Sequence, residues 1–211
     1  MAEPAQVRSM FARIAGRYDL LNRMLSAGMD QRWRAAVLEL AGDVRGEPVV
    51  DACCGTGDLT LVLADAGAQA VGVDFTPEML APTTRKRDRD ASRRAVFTNG
   101  DALRLPVRTD AAAVTTVAFG IRNVADRIEC MREMKRVTRP GGRVIVLEFT
   151  MPPGAVLGRL YRLYFTRILP GVGRFVSGDN DAYAYLPRTV LAWPSPEELQ
   201  AEMDAPCTIH R

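Results

Sequence analysis

Residues 48–60 read PVVDACCGTGDLT, from Pro48 through Asp51, Gly55, Thr56 and Gly57 to Thr60. A short valine-rich run ends on an acid, crosses two glycines and passes at once into helical sequence. Gln69 to Asp74, QAVGVD, then repeats the first part of the pattern, an apolar run that again ends on an acid. Parallel strands need a crossover between them, and a strand, a glycine turn, a helix and a second strand make that unit.

Working outward, three more short apolar runs carry the same signature: AVFTNG near Val96, AVTTVAF near Val117 and RVIVLEF near Val146. Each is nearly all apolar, as strands buried on both faces should be. Leu59 to Ala66, Pro77 to Asp90 and Asp126 to Thr138 read as the crossover helices. In the last, Ile128, Met131, Met134 and Val137 fall on one helical face. TRPGGR, from Thr138 to Arg143, breaks that helix and turns into the next strand. The pattern predicts an α/β Rossmann-like fold, a mostly parallel sheet with helices on both faces. No internal repeat or low-complexity segment interrupts it.

The chain of 211 residues is 47% hydrophobic and 25% charged, which suits one globular domain. Within it, residues 1–45 read as a helical arm or lid, 46–150 as the core, and 151–211 as a helical substrate-side region with a shortened C-terminus. From Ala155 to Leu169 a helix is expected, with Leu157, Leu160, Tyr161, Tyr164, Phe165 and Ile168 on one stripe and Arg159, Arg162 and Arg167 off it. That stripe is either core, the lining of a channel for an apolar tail, or a surface lying on a membrane.

A formal charge of +3, with no single basic arm, argues against nucleic acid. The densest basic run, Arg85 to Arg94, contains Asp88 and Asp90 and reads as the solvated end of a helix. The four cysteines, Cys53, Cys54, Cys130 and Cys207, show neither a Cys-x-x-Cys pair nor a secreted framework, and no metal site is expected. The first residues lack an apolar signal region, and no run is long enough to span a bilayer. A cytoplasmic protein is expected, with membrane contact at most peripheral.

Glycines after a strand, with an acid ending the next, suit a ribose-bearing cofactor: Gly55 and Gly57 let it approach the backbone and Asp74 accepts from ribose hydroxyls. A dinucleotide would want a third small residue where Thr60 stands and a helix N-terminus clear of acids. Asp51 and Asp58 would instead confront its pyrophosphate. S-adenosylmethionine carries a sulfonium and an amino group, so those carboxylates become attractions. Asp101 in NGDALRLP is placed to reach the adenine amino group, with Ala102 and Leu103 beside the ring. The plainer readings stay open: Asp58 as a first-turn helix acid, Asp51 and Asp101 as turn residues.

Seven segments, FARIAGRYDLLNRMLSAGMDQRWR, VVDACCGTGDLT, GVDFTPEML, GDALRLP, VAFGIRNVAD, MKRVTRPGGRVIVLEFT and AYAYLPRTV, occur in that order. From about Met10 to Met203 the chain resembles the class I methyltransferases that C-methylate quinol rings in menaquinone and ubiquinone biosynthesis. The resemblance implies S-adenosylmethionine as methyl donor, with Thr56, Asp74, Asp101 and Ala102 at its binding positions. It also implies a polyprenyl naphthoquinol or benzoquinol as acceptor. Phe75 and Ala118, in the matching GVDF and VAFG segments, are placed beside the cofactor as well.

The chain departs from that family's pattern twice. Ala112 and Ala113 stand where Phe-Asp is usual, which should loosen the start of the fourth strand. After PEELQAEM the family continues into a strand and hairpin, whereas here the sequence reads DAPCTIHR. Without that hairpin the fifth strand keeps an open edge, and a second copy or another covering partner is expected there.

The carboxyl ends of parallel strands face the ligand crevice, so Arg122 and Asn123, at the end of the fourth run, should border the reacting ring. Arg122 would stabilise a quinolate oxygen, directly or through water, and Asn123 would orient it, while Gly120 would let a ligand approach the backbone. Glu148 is either a base or the structural partner of an arginine. Tyr18 and Asp19 on the arm are lid residues or helix-start caps, and His210 is incidental. Two rivals stand beside this reading: a nicotinamide-dependent oxidoreductase, and a non-catalytic, regulatory S-adenosylmethionine-binding homologue. A methyltransferase acting on another small aromatic is a further variant.

Overall fold

The valine-rich runs form a five-stranded sheet in the order β3-β2-β1-β4-β5 with every neighbouring pair parallel. The strands are β1 (Pro48–Ala52), β2 (Gln69–Asp74), β3 (Ala95–Asn99), β4 (Ala112–Ala118) and β5 (Thr138–Leu147). The computed structural model describes residues 3–26, 28–88 and 94–150, with 159, 163, 185, 188–195 and 197–199. Three helices form the arm, α1 (Pro4–Ile14), α2 (Tyr18–Leu25) and α3 (Met29–Ala41), and three serve the sheet, α4 (Asp58–Asp65), α5 (Pro77–Arg87) and α6 (Arg127–Val137).

Consecutive strand residues point to opposite faces, and both faces are covered. Val49, Ala70, Val114 and Ile145 pack against Val37 and Ala41 of α3 and Leu59 and Leu63 of α4. Val50, Val73 and Val117 pack against Met131, Met134 and Val137 of α6 on the other face, where Leu199 is also buried. Chain order turns back at β1, between β2 and β4, so the carboxyl ends of β1 and β4 flank the crevice where α/β sheets bind ligands.

The arm is three helices rather than one run. A 3-10 turn at Ala15–Arg17 separates α1 from α2, and Gly28, at φ 78°, caps the start of α3. Strand β5 also begins earlier than the sequence suggests: Thr138 already pairs with Ala112, and Pro140, Gly141 and Gly142 lie within the strand. A register irregularity between Ala112 and Val114 absorbs them, and a Cβ on Gly142 would stand 2.7 Å from the Ala113 carbonyl oxygen.

At the two alanines the strand is packed and hydrogen-bonded, although the register irregularity also falls there. Ala112 is fully buried, and Ala111 N–H donates to the Val137 carbonyl at 2.9 Å. The stripe expected within residues 155–169 lies outside the described residues; of that segment only Arg159 and Leu163, neither of them on the stripe, are described, and both are helical and exposed. Residues 200–211, on which the expected loss of the hairpin falls, also lie outside them. Among the described residues no strand pairs with the outer side of β5. Among them, too, no helix is long and apolar enough to cross a membrane, and no cluster of His, Cys, Asp and Glu could hold a metal.

Candidate functional site

The turn after β1 is built from left-handed backbone: Cys53 at φ 53°, Gly55 at 56° and Gly57 at 81°. At Gly57 a side chain is excluded twice over, since a Cβ would also meet Phe97 Cε1 at 2.6 Å. Asp74, at the end of β2, braces the turn. Its Oδ2 accepts from Gly55 N–H at 2.8 Å and its Oδ1 from Thr76 N–H at 2.9 Å. Each oxygen keeps a lone pair beyond these bonds. Burial nevertheless holds the Asp74 carboxyl above its usual value.

A pocket enclosing about 790 Å³ of empty space, open water at its mouth included, lies over these strand ends. It brings together Gly55, Asp74, Phe75, Asp101, Ala102, Ala118 and Asn123 from the core with Tyr18 from the arm. Asp101 spends Oδ1 on Leu103 N–H at 2.9 Å, so it is a turn former that also faces the pocket. Tyr18 packs edge-on against Phe11, 6.1 Å between ring centroids, and desolvation lifts its phenol above the ordinary value.

Asp51, Thr56 and Gly57 are not on this wall. Asp51 is buried behind it, its oxygens accepting from Thr60 Oγ1 at 2.6 Å and Thr116 Oγ1 at 2.8 Å, and burial pushes its carboxyl to about 6. Thr56 turns its hydroxyl to Asp19 of the arm at 2.5 Å. Asp58 does begin α4, but its oxygens are held by Lys86 at 2.6 Å and Arg34 at 3.2 Å.

The end of β4 also differs from expectation. Phe119 takes a left-handed backbone at φ 57°, and Ile121–Asn123 form a 3-10 turn rather than an extended end. Gly120 lines the pocket as expected, and a Cβ there would also stand 2.4 Å from Cys53 Cβ in the turn after β1, so Cys53 too requires glycine at this position. Asn123 reaches the pocket, whereas Arg122 lies behind its wall in an ion pair with Glu148, both side chains almost fully buried. Of the two readings of Glu148, the geometry thus supplies the arginine partner. Burial raises its carboxyl above the usual value, against the lowering effect of Arg122. Glu148 Oε2 and Asn123 Oδ1 are buried without a hydrogen-bond partner.

Several pocket residues carried no sequence signal of their own: Cys53, Met79 and Val124, with Pro4 and Phe11 from the arm. Phe119 stacks on Phe149 at 4.5 Å, and Trp33 of α3 meets both rings edge-on, at 5.6 and 5.5 Å. The aromatic-rich FARIAGRY and DQRW segments were the available hint. Lys86 was missed because a run of mixed charge reads as solvated surface, yet its side chain is only 19% exposed.

A loop of this geometry occurs in many cofactor-binding folds, and comparison with known proteins decides among them. Residues 1–206 match the ubiE/COQ5 methyltransferase family. The chain belongs to that family. The demethylmenaquinone methyltransferase of Thermus thermophilus is 47% identical over 93% of this chain and 90% of its own length. That of Deinococcus radiodurans is 46% identical over 94% and 83%. Phosphoethanolamine N-methyltransferase 2 of Haemonchus contortus, solved in complex with S-adenosyl-L-methionine, shares the fold with a TM-score of 0.63. It is 16% identical, with 87% of this chain and 39% of that one covered.

As a ubiE/COQ5 methyltransferase the chain is an enzyme, and its pocket is notable for its charge. Asp74 and Asp101 line it, and among the described residues no lysine or arginine does. Such a lining favours a cationic ligand and penalises a pyrophosphate.

Proposed function

We propose that the enzyme transfers a methyl group from S-adenosylmethionine to a ring carbon of a polyprenyl naphthoquinol, the reduced form of demethylmenaquinone. The observation that carries this reading is the acid-lined pocket, without a basic side chain among the described residues, set at the carboxyl ends of β1, β2 and β4. The names of the curated relatives support the naphthoquinol over a benzoquinol.

The residues fit the donor. Asp74 keeps lone pairs for ribose hydroxyls, Asp101 has an oxygen to spare for an amino group, and Ala102 and Leu103 provide an apolar wall for a base. S-adenosylmethionine supplies an electrophilic methyl group when bound. The protein's share is alignment, exclusion of water and control of the ring's charge. Phe119, Val124 and Phe11 keep the pocket apolar where the ring would lie.

Asn123 orients a ring oxygen from the wall. Arg122 acts from behind it, its positive field favouring a deprotonated ring, with Glu148 as its buried ion-pair partner. Only the reduced ring, with a hydroxyl at or near deprotonation, is nucleophilic enough at carbon to take the methyl group, so the quinol and not the quinone is the acceptor.

An isoprenoid substrate would bring the enzyme to the cytoplasmic face of a membrane, as a peripheral contact. A second copy of the chain or another partner at the outer edge of β5 completes the reading. Incubation with reduced demethylmenaquinone and, separately, a demethylated benzoquinol, read by mass, tests the substrate class. Methylation of the naphthoquinol at the higher kcat/KM is expected; exclusive methylation of the benzoquinol would refute it.

A further inference from the structure

Three separate elements converge on one ammonium group. Lys86 Nζ, from α5, lies 2.6 Å from Asp19 Oδ2 of α2 and 2.6 Å from Asp58 Oδ1 at the start of α4. It also donates to the Thr56 carbonyl at 3.1 Å, while Thr56 Oγ1 donates to Asp19 Oδ1 at 2.5 Å. On the far side Arg34 of α3 joins Asp58, at 3.2 Å, to Asp30, at 2.5 Å. Asp19, Asp30 and Asp58 therefore share two bases, and without Lys86 two of these acids would face each other across the glycine turn.

The position of this cluster gives it consequence. Asp19 follows Tyr18, which with Pro4 and Phe11 makes the arm's share of the pocket wall, and Thr56 follows Gly55, which lines the same pocket. A partly buried, multiply hydrogen-bonded cation holds more tightly than an exposed, solvent-screened pair.

We propose that Lys86 is a positioning residue: by clasping Asp19 to the glycine turn it holds the arm closed on the pocket and so sets the affinity for S-adenosylmethionine. The inference rests on the cofactor reading above. Lys86 is not on the pocket wall and touches no reacting group, so the clasp acts on binding and leaves the chemical step alone.

The test uses Lys86→Met, which keeps the stem and removes the charge, with Lys86→Arg, Asp19→Asn and the Asp19→Asn/Lys86→Met double variant. Each is titrated calorimetrically with S-adenosylmethionine, assayed for KM and kcat, and exposed to an arginine-specific protease that can cut the arm at Arg13, Arg17 or Arg23. Lys86→Met should weaken binding about tenfold and raise KM in step, with kcat within about threefold, and should speed cleavage of the arm. Lys86→Arg should recover part of the loss, and the double variant should be no worse than the poorer single one. Wild-type affinity and cleavage in both single variants would overturn the clasp, as would a loss confined to kcat or fully additive losses. If Lys86→Met does not fold, Asp19→Asn carries the same comparison from the arm side. A wild-type protein without affinity for S-adenosylmethionine would instead refute the cofactor reading, and arm cleavage would still report on the clasp.

Discussion

Arg122 and Glu148, 26 residues apart in sequence, meet as a buried ion pair because β4 and β5 end side by side, with Ala118 registered on Leu147. The guanidinium also lies 5.5 Å from the centre of the Phe149 ring. Removing one member strands the other charge. Glu148→Gln should cost roughly 3–5 kcal/mol in urea unfolding. The double variant Arg122→Met/Glu148→Gln should regain much of that stability while methyl transfer stays lost. Wild-type turnover in the double variant would show the pair to be scaffold alone.

Asp51 gives a pH signature. Its folded value of about 6 lies above the usual 3.8, so folding favours its protonated form. Its effect is therefore most favourable below about pH 4 and is lost as pH rises through about 6, a change of at most ~3 kcal/mol. Asp51→Asn can keep both threonine bonds, since hydroxyls donate or accept. Denaturant unfolding should show this variant gaining on the wild type between about pH 4 and about pH 6. A difference constant across that range would contradict the assignment.

Asp74→Asn leaves a single carbonyl oxygen for two backbone donors, Gly55 N–H and Thr76 N–H. One buried N–H then faces an amide NH₂, at a cost of about 1–3 kcal/mol. Affinity for S-adenosylmethionine should fall at least about tenfold, measured by calorimetry. Unchanged affinity would remove Asp74 from the cofactor site.

Gly120→Ala would force its Cβ against Cys53 Cβ, 2.4 Å away in the present geometry. A loss of about 1–3 kcal/mol in thermal unfolding is expected. Cys53→Gly should rescue it, because it removes the colliding atom and relieves a left-handed backbone at φ 53°. Equal losses with and without Cys53→Gly would place the strain elsewhere.

These sites mark where sequence stopped being readable. Strand β1 and its glycine turn were legible because a two-face buried strand is apolar throughout, and a turn from strand to helix leaves glycine behind. For Glu148 an arginine partner was legible but not which one, since the pairing depends on strand register, and Pro140, Gly141 and Gly142 read as a break rather than as the irregularity opposite Ala113 that sets that register. Lys86 failed for a related reason: helical spacing says which face a charge occupies, not which arm folds over it. Asp51 and Asp58 looked like pocket acids because sequence places them beside the turn but does not reveal Thr60, Thr116, Arg34 and Lys86 taking up their oxygens.

The central claim is methyl transfer to a quinol ring carbon. Its most direct test incubates the purified protein with methyl-labelled S-adenosylmethionine and chemically reduced demethylmenaquinone, then locates the label by mass fragmentation. The account predicts one labelled methyl on a ring carbon, formed from the reduced ring and not from the quinone. Label on a ring oxygen, or no transfer to the reduced ring while the donor binds, would contradict it.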